Sequence, residues 1–591
     1  MASISIPSSL PREVLNEVCF AALRPHRDAT GLQTLTSLAR TSRLFHEPAV
    51  NAIWRHVPNV LTLIRTLPED LWLQTRITND IRNDLVARYF RTRLGKSFKR
   101  PPVKSDFARL KHYAHRIERI LYANTCLIPP AVLNALAAHF PAGTFLPNIR
   151  SFAYQYLIPP PSELNHSLEI LFGLKLERIY VIGAASGPIG TKLSPNAESF
   201  DCIRALARIC PKLSRLSIRL EPKPKRPLIT VVPEMITAFQ DLTYVFVSHI
   251  LLDLPAILHL ASLQNLEVLN AYLSDNIPQS NGLSLTSISP SRQAGYFPSL
   301  KNMSLEHRSL SLFTLLLKLV SSPDLDEVML SIPETSDATC TSEDVSELLV
   351  ELSLHTALTR ITVSVDSSSP VTGPRFDSTT FTPLLALPGL CILDIDIAHP
   401  VDIDDELIAS MAATWSDLTQ LSLGVARPHS HTDISAFLAT RTPTLFGLVP
   451  FALFCPHLEW LGLPLDTNLW SDPYAQNRLE RRPGCGARLS QMTALDVGLS
   501  VVYDPVAVAA FLSDLFPELN GAWTAWQEVK DEEMSADLLI LGRPRDLAAK
   551  WSQVADLVIQ FAAVREQEEI YRQAHGQWNG EPEPELVEDA S

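Results

Sequence analysis

Two stretches of this 591-residue chain hold residue types that could do chemistry. In "HSHTD", His429, His431 and Asp433 bring two imidazoles and a carboxylate close together, a donor set that suits a divalent metal. No matching ligand set stands elsewhere in the sequence, and the segment also reads as a polar turn whose Asp433 caps the following helix. In "YVIGAASGPIGTK", Gly183, Gly187 and Gly190 follow an apolar run, as a phosphate-cradling loop would. Their spacing fits neither G-x-G-x-x-G nor G-x-x-x-x-G-K-[ST], and Pro188 removes one amide donor from the loop. G-x-S-x-G and H-E-x-x-H are absent from the sequence. The expectation is therefore a non-catalytic chain with no catalytic residues, no cofactor and no metal, although assembly of a site from distant residues stays open.

The elements that would have to position any such site point instead toward binding. Hydrophobic residues make up 46% of the chain and charged residues 19%, so a large core is available. The net charge of -14 argues against nucleic acid as a partner for the chain as a whole. The most apolar windows are broken by Asp253, Pro255 and Pro450, so no membrane span is expected, and Glu13 and Glu17 interrupt any leader-like run near the start. Eight scattered cysteines without a C-x-x-C suit buried thiols in a reducing compartment, cytoplasmic or nuclear.

A six-residue pattern, L-x-x-[LIVF]-x-[apolar], recurs thirteen times. It begins at Ile117, Ile149, Leu176, Leu213, Leu242, Leu266, Leu300, Leu325, Leu358, Leu390, Leu418, Leu458 and Met492, at intervals of 24 to 40 residues. Its last two apolar positions lie two apart and share one face of a strand, and helical runs such as "FDCIRALARIC" and "SEDVSELLVEL" fall between. Alternating strand and helix at this period predicts a right-handed α/β solenoid with a parallel strand face and outer helices. The pattern resembles leucine-rich repeats in degenerate form. An ordinary α/β domain with a parallel sheet is the alternative.

Ahead of the array, "SLPREVLNEVCFAAL", "LQTLTSLARTSRLF" and "EPAVNAIWRHV" read as three short amphipathic helices. Val14, Leu15 and Val18 are expected to share one face of the first, and Pro48 to open the third. These residues resemble an F-box, in the form common in fungal proteins, on the strength of Leu10, Pro11, Val14, Leu15, Val18, the "LTSLARTSRLF" segment with Leu38, Leu44 and Phe45, and Trp54. The family often has a cysteine before the basic residue of the second segment, where this chain has Ser42-Arg43, and a shorter first loop than "RPHRDATG". The resemblance implies that those nine residues dock on a Skp-type adaptor and through it on a cullin, which would make the chain a substrate-recruiting subunit of an SCF ubiquitin ligase. A helical cap on the end of the array, in a scaffold with no ligase attached, is the other reading.

The expected domains are thus an F-box-like helical module at 1–60, a basic helical linker at 61–112, a leucine-rich-repeat-like solenoid at 113–545, and a helix with an acidic disordered tail at 546–591. Ten Lys or Arg against one acid in 88–116 give the linker its charge. The target protein is expected on the concave strand face. There the third and fifth motif positions, including Arg119, Arg178, Tyr180, Arg215, Tyr244, Phe246 and the nearby Tyr272, point away from the core. Glu327, Asp394 and Asp496 occupy the equivalent places further on, so the face changes sign along the array.

Overall fold

The computed structural model describes residues 11–23, 29–72, 98–124, 130–156, 169–184, 201–221, 232–274, 295–333, 340–365, 373–425, 434–468, 486–534 and 538–575. They divide into two compact bodies, one of residues 1–289 with 295–300 and one of 290–294 with 301–591.

The first body opens on three helices, α1 (Arg12–Ala21), α2 (Ala29–Thr41) and α3 (Arg43–Arg55). Glu13 lies in the first turn of α1, where a carboxylate favours the positive helix end. Cys19, Leu23, Leu35, Ala49 and Ala52 form a small core of their own, with Leu32, Leu38, Ala39, Phe45 and Ile53 packed around it. The third helix starts at Arg43, so Pro48 sits inside it and not at its head. Extended backbone at Ser42 separates it from α2, and Nδ1 of His46 reaches the Ala39 carbonyl at 2.8 Å to hold the two helices together.

Seven parallel strands follow in chain order: β1 (His56–Val57), β2 (Arg119–Asn124), β3 (Ser151–Tyr156), β4 (Arg178–Ala184), β5 (Arg215–Glu221), β6 (Tyr244–Leu252) and β7 (Val268–Leu273). The second body continues the pattern with β8 (Asn302–Glu306), β9 (Glu327–Ile332), β10 (Arg360–Val365) and β11 (Ile392–Ile397). It ends with β12 (Gln420–Leu423), β13 (Trp460–Gly462), β14 (Ala494–Asp496) and β15 (Gly521–Trp523). Helices lie between many of the strands, including Asp201–Ile209, Ser342–Ser353 and Asp405–Thr414. Each body is therefore a leucine-rich-repeat-like α/β solenoid.

The leading residues of all thirteen sequence repeats are at most 1% exposed. Successive residues along a strand face alternately inward and outward, as in β4, where Ile179 and Val181 are buried and Arg178 and Tyr180 are half-buried. At the entry to most strands one carbonyl accepts two amides from the next repeat. The Glu177 carbonyl takes both Ser214 and Arg215, and the Asp326 carbonyl takes both Thr359 and Arg360.

Two strands were not visible in the repeat pattern. By register His56 pairs with Arg119, which places Trp54 in the leading position of a repeat whose last apolar place is taken by Asn59. At the other end Ala522 stands in β15 where the pattern asks for a large aliphatic residue. The expected linker is helical where described, at Val60–Ile64 and Ala108–Ala114, and with Val60, Leu61, Leu63, Ile64, Leu71, Phe107 and Leu110 buried these parts form the turn between β1 and β2. Arg100 ties that turn together, with one nitrogen 2.9 Å from Asp70 and another 2.6 Å from Asp106. The guanidinium and the Val103 amide hold the Asp106 carboxyl down at about 2, while Arg100 is held well above its usual range.

The last turn is closed by the helix Pro544–His575, which buries Leu547, Trp551, Val554 and Val558. The indole N–H groups of Trp526 and Trp551 both donate to the Ser500 carbonyl at 2.9 Å. Residues 576–591, with the expected acidic tail, lie outside the described residues.

Two outcomes follow from this packing. Truncating the fully buried Leu358 to Ala is expected to cost about 3 kcal/mol in urea unfolding, whereas Leu354→Ala, at an exposed site, costs less than about 0.5 kcal/mol. Because the folded pKa of Asp106 is depressed, its contribution is complete above the unfolded value of roughly 4 and is lost as pH falls toward about 2. An Asp106→Asn chain should accordingly lose melting temperature at neutral pH and converge on the parent at the acid end of that window.

Candidate interaction surfaces

The helical module presents two kinds of apolar residue. On α1, Leu15, Cys19 and Leu23 recur every four residues and are buried, while Val14 and Val18, one position earlier, are 43% and 54% exposed. Leu15 therefore belongs to the inward face and does not share a surface with Val14 and Val18, because a shift of one residue turns a helical side chain by about 100°. Leu44 is 44% exposed, Pro11 is exposed, and Leu38 and Phe45 are partly covered against the module core. Leu10 lies outside the described residues. Trp54 is half-buried and stacks on Tyr113, with ring centroids 4.3 Å apart. Arg116 adds a second fastening through Asn51 and through Glu47 at 3.1 Å.

The strand face of the first body carries a row in one register: His56, Arg119, Ser151, Arg178, Arg215 and Tyr244. A second row contains Tyr180, Ser217 and Phe246. Arg215 and Arg219 are exposed, and their guanidinium carbons lie 5.8 Å and 5.2 Å from the ring centroids of Tyr244 and Phe246. Both rings are half-buried, so each Arg is steadied by an aromatic face, a contact worth about 0.5–1 kcal/mol at such exposure. The five positions Arg178, Tyr180, Arg215, Tyr244 and Phe246 thus share one surface.

Tyr272 does not join them. It is only 7% exposed, and the His249 ring lies 4.5 Å from it between centroids. The cause is a β-bulge in β6 between Val247 and Leu251, where His249 takes a φ of 58° and folds over the next strand. Nothing in "VFVSHILL" signals that extra length, although His is among the residues that tolerate the left-handed region best. Sequence reasoning also passed over His56 and Ser151, which the register brings into the basic row.

In the second body the outward positions are mixed. Glu327 on β9 pairs with Arg360 on β10, and Asp394 and Asp396 project from β11. Burial pushes the Asp394 carboxyl above its usual range, with Asp396 adding to the rise and a hydrogen bond from Ser422 opposing it. Met329 and Trp523 are exposed apolar residues on the same kind of position. His429, His431, Asp433, Gly187 and Gly190 lie outside the described residues. Among the described residues no group of three or more His, Cys, Asp or Glu side chains is placed to hold a metal ion, and no helix is long and apolar enough to cross a membrane. Burial pushes the thiols of Cys210, Cys340 and Cys455 up to about 12, which keeps them protonated and unreactive.

No protein-family model matches the sequence. No curated protein matches it. Among solved structures the chain is similar to an internalin of Listeria monocytogenes, at 16% identity over 61% of this chain and 88% of that one, with a TM-score of 0.29. It is also similar to the mouse RP105/MD-1 complex, at 15% identity over 72% and 69% and a TM-score of 0.27. A plant peptide hormone receptor, RGFR1 in complex with RGF2, gives 10% identity over 73% and 65% and a TM-score of 0.28. Such likeness is too loose to argue from, and the fold stands on the strand pairings themselves.

The two faces of α1 predict opposite responses to a charge. Leu15→Asp buries a carboxylate and is expected to unfold the module, at a cost of about 3 kcal/mol or more. Val18→Asp stays in solvent and costs less than about 0.5 kcal/mol. Amide hydrogen exchange across α1–α3 checks this, since only the first substitution should strip protection from all three helices.

Proposed function

We propose that the chain is a target-recruiting subunit of a cullin-based SCF ubiquitin ligase, working in the cytoplasm or nucleus. The α1–α3 module docks on a Skp-type adaptor, and the strand face of the solenoid holds a target protein. The observation that carries this reading is a three-helix module with its own core that leaves Val14, Val18 and Leu44 exposed, beside a solenoid of the kind suited to protein contact. Its resemblance to the F-box supplies the identity of the adaptor. The chain itself catalyses nothing in this scheme and needs no cofactor.

A second reading, a protein-interaction scaffold with no ligase attached, is favoured by how firmly the module is fastened. The Trp54–Tyr113 stack and the Arg116 contacts to Asn51 and Glu47 are what a cap on the first repeat requires.

Co-purification of the full chain with a Skp-type adaptor separates the two. The ligase reading expects a stoichiometric complex that Val14→Asp with Val18→Asp weakens by about 2 kcal/mol or more while the melting temperature holds. An adaptor that never co-purifies with well-folded chain leaves the scaffold reading in its place.

A further inference from the structure

The strand face of the second body ends in a patch that the recruiting reading does not by itself explain. Trp460, Ala494 and Gly521 share one row across β13, β14 and β15, and Gly462, Asp496 and Trp523 share the next. A β-carbon on Gly462 would stand 2.9 Å from Cη2 of Trp460, and one on Gly521 would stand 2.6 Å from Cη2 of Trp523. Each indole therefore folds back along its own strand into space that a glycine leaves open. The burial of the neighbours agrees. Ala494 is 9% exposed, and Ser422, which registers with Gly462 from β12, is 2% exposed, although both hold outward places. Trp523 itself stays 49% exposed and Trp460 is half-buried. Carboxylates stand on both sides of the Trp460 ring: Asp496 one strand away, and Asp394 two strands away in the other direction. Oδ1 of Asp496 accepts the Gly498 amide at 3.0 Å, which fixes that carboxylate in its row.

We infer that this patch binds an arginine side chain of the target protein, its guanidinium lying on the Trp460 and Trp523 indoles with its N–H groups turned to Asp496. The inference rests on the strand face being the target-binding surface. On the outward places of β9 to β15 the charged residues are Glu327, Arg360, Asp394, Asp396 and Asp496. Arg360 stands beside Glu327 in register, so the remainder of the face is acidic. Such a face draws a cation, and an aromatic floor selects one whose charge is spread over a flat group. A guanidinium stacks on an indole and still presents its planar fork of N–H donors to a carboxylate, whereas an ammonium is a compact and strongly hydrated point charge. Nucleic acid and acidic segments are repelled by the same carboxylates. An apolar segment would cover the rings but gain nothing from the surrounding charge. A metal ion does not fit, because Asp394 and Asp496 stand three strands apart, about 14 Å. A protein segment fits better than free arginine, since Asp394 and Asp396 continue the acidic face for basic residues beside the first.

The test uses the full chain and a degenerate peptide pool built around one arginine, alongside the same pool with its neutral analogue citrulline and with lysine at that place. Fluorescence anisotropy is expected to show arginine peptides binding roughly tenfold tighter than citrulline ones and a few-fold tighter than lysine ones, with affinity falling as salt rises. Asp496→Asn keeps an oxygen for the Gly498 amide and should remove most of the preference over citrulline. Trp460→Leu with Trp523→Leu should remove the preference over lysine. Trp523→Leu alone, at a half-exposed site, is the milder variant and should weaken arginine peptides a few-fold while the melting temperature holds.

Equal binding of the arginine and citrulline pools, no binding at all, or lysine peptides binding as tightly as arginine ones overturns the inference. So does a preference that survives Asp496→Asn and Trp523→Leu together, or free arginine competing as well as the peptides. Adaptor co-purification is measured on the same preparations. Its absence with arginine-peptide binding intact rejects the ligase reading alone, and the reverse rejects the patch alone.

Discussion

Most of the architecture depends on one backbone arrangement, a carbonyl at the start of a strand that accepts two amides from the start of the next. Where it occurs, as from Glu118 to Arg150 and Ser151 or from Thr359 to Cys391 and Ile392, it fixes the lateral register of two repeats before any side chain is counted. The leading residue is then pulled under the sheet, and its burial in all thirteen repeats of the sequence pattern supplies the hydrophobic drive that makes the register worth keeping. Register in turn decides the surface. A strand slipped by one place would send Arg178 and Tyr180 inward and Ile179 outward, so the binding rows exist only because the entry carbonyls hold.

The two solenoid bodies were legible because their signal is collective. A six-residue pattern repeated thirteen times reports strand, burial and facing direction together, and the burial of each leading residue follows directly from it. The end repeats were harder to see for a physical reason: each has a neighbour on one side only, so Trp54 and Ala522 can stand where interior repeats require a leucine-like residue. The stretch after β1 is helical where described, at Val60–Ile64 and Ala108–Ala114, but the residues that bury it, Leu61, Leu63 and Leu110, carry no repeat pattern of their own, so its packing was not legible.

The interaction surfaces were legible in part. Alternation along a strand was enough to bring Arg178, Tyr180, Arg215, Tyr244 and Phe246 onto one face. It could not anticipate Tyr272, because a bulge breaks the period of two and His249 then covers the ring. On α1 the difficulty was finer. Val14, Leu15 and Val18 are all apolar, and only the packing of Cys19 and Leu23 tells which of them turn inward. Ser151 was invisible to sequence reasoning, since only register sets a lone serine between two arginines.

The short strand His56–Val57 has a consequence for the molecule's solubility. It lies against the first two residues of β2, Arg119 and Ile120, whose outer backbone groups would otherwise start an open ladder, and it emerges without a break from the end of α3. An uncovered β2 would be a template for any passing extended chain, including another copy of this one. The helical module therefore serves the sheet as a selvedge, the woven border that keeps a fabric from unravelling or catching. Removing it would not simply delete a docking element; it would leave the first body with an adhesive edge.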